Sequence, residues 1–284
     1  MTPPLMQRVG RAARTALSAV PLAAAFVRAG DGPRAAGAMF VAGLAHATPA
    51  TWGGRLIRLF GVRRLSLRPR RLGGDRLVID PYDRGHTCVV EELFVPPVAY
   101  DLALVAFEPA AIIDCGAHIG VFSLLARRRF PSAALVAFEP NPDNEPYLRE
   151  NLRSNGVAAQ IIAAGVSTMD GRAGFRAQPG RSESGRLAEP SGGDASEVNV
   201  IDLPAFVSRL AAASVLVKMD IEGEEERLLP ALIPVLPRTC AIFFETHRGS
   251  EGWEAVHNML TEASFTVRLL RHRDVFFDGF AIRH

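Results

Sequence analysis

The sequence predicts an α/β fold built on a doubly wound, seven-stranded sheet whose last strand runs antiparallel. Short apolar runs alternate with helical stretches from residue 111 onward, as in parallel sheets with crossover helices. Only five residues separate the last two runs, too few for a parallel crossover. We expect strands at residues 111–115, 134–138, 160–163, 214–219, 241–245, 265–269 and 275–282, and helices at residues 119–129, 142–154, 203–211, 224–236 and 252–263.

A basic N-terminal extension, residues 1–75, is expected to precede the main domain, residues 76–284. Residues 1–76 carry thirteen Arg and two acidic residues, whereas the rest of the chain carries nineteen basic and twenty-eight acidic residues. Residues 6–20 predict an amphipathic helix with a basic face, which could lie on an anionic membrane, on the domain or on a second subunit. After this extension, Arg76–Asp80 and Thr87–Val90 are expected to form an antiparallel β-hairpin that leads into the main sheet.

Composition excludes several classes of protein. The 284 residues, 48% of them hydrophobic, can bury a sizeable core, and no apolar run reaches the ~18 residues of a membrane span. Three cysteines without a C-x-x-C pair argue against a disulfide scaffold or a zinc module and favour the cytoplasm. Eight arginines lie between Arg55 and Arg76 with one aromatic residue, so nucleic-acid binding is not expected.

The segment Gln178–Ser196 is the only low-complexity stretch. Proline, glycine, serine and charged residues dominate it, which predicts a mobile loop, either a lid over a substrate or a tolerated insertion. Phe175 before the loop and Val198–Val200 after it are expected to pair as a hairpin.

The strongest functional signal is the glycine turn at residues 114–120, Asp-Cys-Gly-Ala-His-Ile-Gly. Here a predicted buried strand runs into a turn that opens a helix, and the glycines are expected to let a ligand approach the backbone. Glu139 follows at the end of the next strand, where it can accept the hydroxyls of a ribose. Asn141 and Pro142 suit the first positions of a helix.

The glycine spacing distinguishes between two ligands. A dinucleotide site requires G-x-G-x-x-G, which this turn lacks, and Asp114 would repel a diphosphate. The same carboxylate suits the cationic amino and sulfonium groups of S-adenosylmethionine. The sequence therefore favours S-adenosylmethionine over NAD.

A second group of polar residues follows the strands at residues 214–219 and 241–245. Asp220 and Glu222 should point to one side of the first strand end, and Glu245 and His247 close the second. Asp220 and Glu222 are expected to position a hydroxyl while His247 removes its proton. Alternatively, Asp220, Glu222 and Glu245 bind Mg²⁺, and the sequence leaves both mechanisms open.

These motifs resemble the FkbM family of S-adenosylmethionine-dependent methyltransferases, over roughly residues 87–282. The resemblance implies a class I methyltransferase (Rossmann-like) fold and O-methylation of a hydroxyl on a sugar, glycan, polyketide or other secondary metabolite. The family usually has Asn where His118 stands. The implied cofactor-binding residues are Asp114, Gly116, Ala117, His118, Gly120, Glu139, Asn141 and Ala164. The further residues that carry the resemblance are Asn151, Asn155, Lys218–Gly223 and Glu245–His247.

Two alternatives come from other functional classes. A catalytically silent nucleoside-binding module would use the basic extension to dock on a partner or membrane, although binding alone does not require the acids Asp220, Glu222 and Glu245. An NAD-dependent oxidoreductase is disfavoured by the glycine spacing. We expect a small-molecule or glycan acceptor and a cytoplasmic protein that could contact membranes peripherally or form oligomers.

Overall fold

The computed structural model describes residues 64–94, 99–178, 181–188 and 196–284. These residues form two compact units, the first comprising residues 64–94 with Arg181 and the second the remainder. Residues 76–94 thus belong to the first unit, whereas the sequence groups them with the main domain. The helix expected at residues 6–20 lies outside the described part of the chain. Within the described residues, no helix has the length and apolarity needed to cross a bilayer.

The first unit contains a β-hairpin followed by a helix. Strand β1 (Leu65–Leu67) pairs antiparallel with β2 (Leu77–Ile79), and helix α1 spans Arg84–Phe94. The strand expected at Thr87–Val90 is wrong, because those residues lie inside α1. Asp83 starts this helix, since its Oδ1 accepts hydrogen bonds from the backbone N–H groups of the second and third residues of α1. This capping outweighs the strand preference of the β-branched residues that follow.

The second unit contains two sheets and five α-helices among its described residues. In chain order, its elements are β3 (Ala111–Cys115), α2 (Val121–Arg129), β4 (Ala134–Phe138), α3 (Glu145–Ser154), β5 (Gln160–Ile162), β6 (Gly165–Ser167), β7 (Gly171–Gln178), β8 (Arg181–Ala188), β9 (Ser196–Asp202), α4 (Leu203–Leu210), β10 (Ser214–Met219), α5 (Glu225–Leu232), β11 (Thr239–Thr246), α6 (Gly249–Glu262), β12 (Thr266–Arg273) and β13 (Phe276–Arg283).

The larger sheet has the strand order β12-β13-β11-β10-β3-β4-β5. Strands β10, β11, β3, β4 and β5 pair in parallel, whereas β13 is antiparallel to both of its neighbours. The predicted seven-stranded sheet with an antiparallel last strand is confirmed. Because the carboxyl ends of parallel strands share one edge, the segments after β3, β4, β10 and β11 meet there.

Helices cover both faces of this sheet. Ile113 and Val217 pack on one face with residues of α4, α5 and α6, and Ile112 and Leu216 pack on the other with residues of α2. Adjacent residues of a strand point to opposite faces, so a doubly wound sheet needs continuous apolar runs. This requirement explains why the apolar runs predict the strands well.

Two local boundaries differ from the prediction or refine it. Helix α3 begins at Glu145, with Asn144 at its N-cap. The expectation that Asn141 and Pro142 start this helix is therefore wrong. Instead, Asn141 Oδ1 accepts a hydrogen bond from the N–H of Asp143 in a turn. Helix α5 ends early and continues as a short 3₁₀ turn after Pro230, as expected for a proline inside a helix.

The smaller sheet is an insertion between β5 and α4, with the order β6-β9-β7-β8. The expected antiparallel pairing of β7 with β9 is present, with Phe175 opposite Ser196. Within the expected loop, Arg181–Ala188 form strand β8, and residues 179–180 and 189–195 lie outside the described residues. A Cβ on Gly185 of β8 would lie 2.2 Å from the Phe175 ring, so glycine lets the two strands approach.

Candidate active site

The glycine turn joins β3 to α2 at the carboxyl edge of the larger sheet. The backbone N–H groups of Gly116 and Ala117 donate to the carbonyl oxygen of Phe138 at 3.0 and 2.9 Å, which ties the turn to β4. A Cβ on Gly116 would lie 2.0 Å from the carbonyl oxygen of Asp220, and Gly116 has φ +76°. Glycine at this position is therefore required by the close approach of the segment after β10, in addition to the ligand approach expected from the sequence.

Gly120 has a similar structural reason. Its φ is +88°, and a Cβ there would lie 2.8 Å from Leu148 Cδ1 on α3. Gly120 also stands at the N-cap of α2 without any side-chain hydrogen bond to the first turn. The N-terminus of α2 thus keeps its backbone N–H groups uncapped by a side chain at the predicted cofactor position.

Glu139 is buried at the end of β4 and fixed to the glycine turn. Its Oε2 accepts a hydrogen bond from the backbone N–H of His118 at 2.6 Å, and its Oε1 accepts from the N–H of Asn141 at 2.9 Å and from Asn144 Nδ2 at 3.3 Å. Burial raises the pKa of Glu139 to about 7, although these donors oppose the shift. The carboxyl is therefore held in one orientation.

His118 lies beside Glu139, to which its backbone N–H donates. His118 adopts a left-handed conformation with φ 52°, and its ring Nε2 lies 2.8 Å from Ser182 Oγ on β8. This contact links the glycine turn to the inserted sheet, and the sequence did not predict it. Ala164 follows β5 and is buried, as is Ala117 in the turn.

Asp114 is fully buried at the end of β3, behind the glycine turn. Its Oδ2 accepts a hydrogen bond from the Ser123 hydroxyl at 2.6 Å, and its Oδ1 lies 3.8 Å from Lys218 Nζ. Burial raises the pKa of Asp114, and the charge of Lys218 opposes that shift. Asp114 therefore has protein partners that the sequence did not reveal.

Lys218, the only lysine of the chain, connects the two halves of the site. Its Nζ donates to the carbonyl oxygens of Gly116 at 2.5 Å and Cys115 at 3.3 Å and lies 3.6 Å from Asp220 Oδ2. Burial disfavours the ammonium, but the charges of Asp220 and Asp114 outweigh it and raise the pKa of Lys218. The lysine is therefore charged, and it holds the glycine turn against the end of β10.

The second half of the site surrounds His247, whose side chain is 2% exposed. Its Nε2 lies 3.3 Å from Glu245 Oε1, 3.5 Å from Glu222 Oε2 and 3.9 Å from Asp220 Oδ1. Its Nδ1 lies 3.7 Å from Glu225 Oε1. We call these five residues the acid cluster. The predicted residues Asp220, Glu222, Glu245 and His247 therefore come together, and Glu225 joins them.

Glu225 is the member of the acid cluster that the sequence missed. Its acidic position in the first turn of α5 suggests only a favourable interaction with the helix dipole. In the structure, its carboxylate accepts hydrogen bonds from the N–H groups of Ile221 at 2.9 Å and Gly223 at 3.0 Å. These bonds hold the loop in which Glu222 adopts φ 60°. An acid two residues after a glycine, at a helix start, is the signal that could have identified it.

The charges in the acid cluster change the role expected for His247. Burial alone would lower its pKa, but Glu225, Glu245 and Asp220 raise it to about 11. An imidazole with this pKa carries a proton at pH 7, which opposes the role of proton acceptor that the sequence predicts for His247. Burial raises the pKa of Glu245 to about 8.

The expected Mg²⁺ ligands are also revised. The donor atoms that converge belong to Asp220, Glu222 and His247, all within 4.8 Å of one another, so His247 takes the place expected for Glu245. Mg²⁺ prefers oxygen ligands and retains several waters, which an imidazole nitrogen does not suit. The donor set therefore does not fit Mg²⁺.

Comparisons with curated proteins found several relatives. The chain is 34% identical over 101 residues to the AMB antimetabolite synthetase AmbE of Pseudomonas aeruginosa, covering 36% of this chain and 5% of AmbE. It is 36% identical over 85 residues to methyltransferase sdnD of Sordaria araneosa, covering 29% and 32%. It is 26% identical over 200 residues to the 31-O-demethyl-FK506 methyltransferase FkbM of Streptomyces tacrolimicus, covering 59% and 76%. The chain thus matches less than a third of the length of the first two.

Among solved structures, methyltransferase FkbM from Methylobacillus flagellatus is similar with a TM-score of 0.45 and 16% identity, covering 81% of this chain and 60% of that one. A family model described as the methyltransferase FkbM domain matches residues 114–271, from the buried aspartate of the glycine turn into β12. Since this match spans more than half of the sequence, the chain belongs to the FkbM methyltransferase domain family.

Proposed function

We propose that this chain is an S-adenosylmethionine-dependent O-methyltransferase that acts on a hydroxyl of a sugar, glycan, polyketide or other small metabolite. One observation carries the proposal: Lys218 joins the glycine turn to Asp220, so a cofactor-binding turn and a carboxylate for the acceptor lie side by side. The FkbM relative, by its name, acts on an O-demethyl compound, which supports oxygen as the accepting atom.

The residues around the glycine turn fit the cofactor. Glu139 is held at the end of β4, where its Oε2, which accepts one hydrogen bond from the protein, can accept a further one from a ribose hydroxyl. The N-terminus of α2 lacks a side-chain cap and would face the carboxylate of the methionine portion. When bound, S-adenosylmethionine supplies an electrophilic methyl group on a sulfonium.

Asp114 and Asn141 support this site from behind. Asp114 is bonded to Ser123 and neighbours Lys218, so it fixes the turn electrostatically. Asn141 donates its backbone N–H to Glu139 and accepts a hydrogen bond from Asp143, so it orients the ribose-binding carboxylate. We propose that both act mainly by positioning groups that contact the cofactor.

The acid cluster would bind and activate the acceptor hydroxyl. Asp220 has the most exposed carboxylate of the cluster, 29%, and its N–H donates to the carbonyl oxygen of Cys115 in the turn. Asp220 and Glu222 can therefore orient the hydroxyl oxygen towards the methyl carbon and accept its proton. Protonated His247 holds these carboxylates in place.

Calorimetric titration with S-adenosylhomocysteine tests the cofactor assignment, with NAD as the parallel ligand. We expect S-adenosylhomocysteine to bind and NAD not to bind. The affinity for S-adenosylhomocysteine should fall roughly 10- to 100-fold in Glu139→Gln, because hydrogen bonds between the ribose and a charged carboxylate are lost. The matched control is Glu145→Gln. Glu145 is the first residue of α3, and its carboxylate forms an ion pair with Arg149. Binding should strengthen as pH rises through about 7, since the ribose hydroxyls donate to the ionised carboxylate. Tighter binding of NAD would contradict the assignment.

Methyl transfer is tested by incubating labelled S-adenosylmethionine with panels of hydroxylated sugars and polyketides and locating the new methyl group. We expect Asp220→Asn to lower turnover by about 100-fold or more while leaving S-adenosylhomocysteine binding unchanged. Glu251→Gln, an exposed acid on α6, serves as the control. A methyl group on nitrogen or carbon would overturn the O-methylation proposal.

A further inference from the structure

The acid cluster has the geometry of a metal site. One donor atom from each of Asp220, Glu222 and His247 lies within 4.8 Å of the others. Ligands bound to one divalent ion at about 2.1 Å lie about 3.0 to 3.4 Å apart when adjacent. The nitrogen–oxygen separations of 3.5 and 3.9 Å from His247 Nε2 are close to this range. Small side-chain movements would therefore place all three donors on one ion.

An independent observation is the condition of the His247 ring. Neither ring nitrogen makes a hydrogen bond, although the side chain is almost completely buried. Buried polar groups in proteins are nearly always hydrogen-bonded, whereas the contacts of this ring with four carboxylates, at 3.3 to 3.9 Å, do not have hydrogen-bond geometry, so Nε2 can take a metal ion as a partner. The ring also packs against Phe276 in a T-shaped contact, with centroids 5.4 Å apart.

The two nitrogens of His247 face different partners. Nε2 is directed towards Asp220, Glu222 and Glu245, whereas Nδ1 is directed towards Glu225. In metal sites, a ligating histidine usually directs its second ring nitrogen at a carboxylate, which fixes the tautomer. Glu225 is itself held by two backbone N–H groups and is well placed for that role.

The charge balance also favours a cation. Four carboxylates surround one imidazole, and the nearest other cations among the described residues are shared or exposed. Lys218 lies 3.6 Å from Asp220 but also neutralises Asp114. Arg273 lies 3.5 Å from Glu245 and is largely exposed to solvent. A divalent ion would offset the remaining negative charge of a mostly buried cluster.

We propose that Asp220, Glu222 and His247 bind a divalent first-row transition-metal ion, which replaces the proton on His247 Nε2 and releases it to solvent, with Glu225 orienting the imidazole. The nitrogen ligand makes the site favour such an ion over Mg²⁺. Ion binding does not depend on the proposed methyltransferase function. The ion's role does rest on it: beside partly exposed Asp220, an open coordination position would hold the acceptor hydroxyl and favour its ionised form.

The test uses the full chain, stripped of metal with a chelator and titrated with Mn²⁺, with free Mn²⁺ followed by its electron paramagnetic resonance signal. We expect one ion per chain and at least tenfold weaker binding in Glu222→Gln and in His247→Gln. Glu251→Gln, outside the cluster, should bind as the parent does. Circular dichroism and thermal unfolding identify misfolded variants, and Asp220→Asn provides a further ligand variant on a more exposed side chain.

Two results would overturn the proposal. The first is no binding of Mn²⁺ by the folded parent chain, which would leave His247 as a counter-ion for the carboxylates. The second is binding that Mg²⁺ abolishes at equal concentration or that none of the folded ligand variants weakens. Titration with S-adenosylhomocysteine in parallel separates the two proposals: loss of that binding with retained Mn²⁺ binding contradicts only the methyltransferase site.

Discussion

The two halves of the candidate site compensate their buried charges differently. In the glycine-turn half, Asp114 is bonded to Ser123 and lies near Lys218, and Glu139 accepts three hydrogen bonds. In the acid cluster, four carboxylates surround His247, which makes no hydrogen bond through its ring. In the first half the protein supplies hydrogen bonds to Glu139 and to Asp114 Oδ2, although Asp114 Oδ1 has none, whereas in the second half neither nitrogen of His247 has one. A site whose side chains are already held by hydrogen bonds suits a cofactor of constant structure. A cluster with polar groups that lack hydrogen bonds suits an acceptor whose structure varies.

The largest effect is expected from removing Lys218, the cation beside Asp114 in the glycine-turn half. We expect Lys218→Met to lower the free energy of unfolding by about 3–5 kcal/mol, because Asp114 becomes an unpaired buried charge. Urea denaturation measures the loss. Adding Asp114→Asn should restore part of it, while Arg149→Met on the exposed face of α3 should change little. A loss below about 1 kcal/mol would mean that Asp114 needs no counter-charge.

Substitution of Gly116 tests whether stability depends on the close approach between the glycine turn and the Asp220 backbone. Gly116→Ala should cost roughly 2–5 kcal/mol, the sum of a left-handed alanine and a Cβ that overlaps the Asp220 carbonyl oxygen. Gly156→Ala shares the positive φ but meets nothing within 4 Å, so about 1–2 kcal/mol is expected. Thermal and urea unfolding of both variants measure the difference. Equal losses would show that the overlap at Gly116 is relieved without cost.

The pH dependence of stability sharpens the comparison at Glu139. Its pKa rises from 4.5 to about 7 on folding, so the folded state binds the proton more tightly. Protonation of Glu139 therefore adds to the free energy of unfolding. This stabilisation is complete below pH 4.5 and is lost as pH rises through 7, a change of about 3 kcal/mol. We measure the unfolding free energies of the parent and of Glu139→Gln from pH 4.5 to 8. The parent should lose stability relative to the variant as pH rises, because only the parent has a carboxyl group that ionises at this position. A constant difference would refute the shift.

An exposed ion pair gives the smallest expected effect. Arg172 on β7 and Glu197 on β9 lie 2.9 Å apart with side chains 61% and 53% exposed. Arg172→Gln should lower stability by less than about 1 kcal/mol, because water screens the pair. Urea denaturation in low and high salt checks this value. A loss comparable to that of Lys218→Met would show that burial does not explain the difference between the pairs.

The larger sheet was predictable because its strands are buried on both faces. Ile112 and Ile113 point to opposite faces and still both lie in apolar surroundings, so β3 leaves a continuous apolar run in the sequence. Strand β8 leaves no such signal. It is mostly polar, and the close approach of its Gly185 to the Phe175 ring is a contact between residues of different strands. Local patterns carry no record of such contacts.

The same distinction applies to the candidate site. The motifs identified the residues at the carboxyl edge, since sheet topology alone brings the strand ends together. They did not predict Ser182 beside His118, the hydrogen bonds of Glu225, or the raised pKa of His247. These features depend on side-chain distances of 3 to 4 Å and on burial, which spacing along the chain does not encode.

The sequence by itself determined the α/β architecture, the glycine turn and the set of carboxylates at the sheet edge, because buried strands and tight turns require particular residue types at short range. Only the tertiary structure decided which groups surround those carboxylates. It paired Asp114 with Lys218 and placed four carboxylates around His247. The physical reason is that the free energy of a charge depends on its burial and its neighbours, and both are set by segments far apart in the chain.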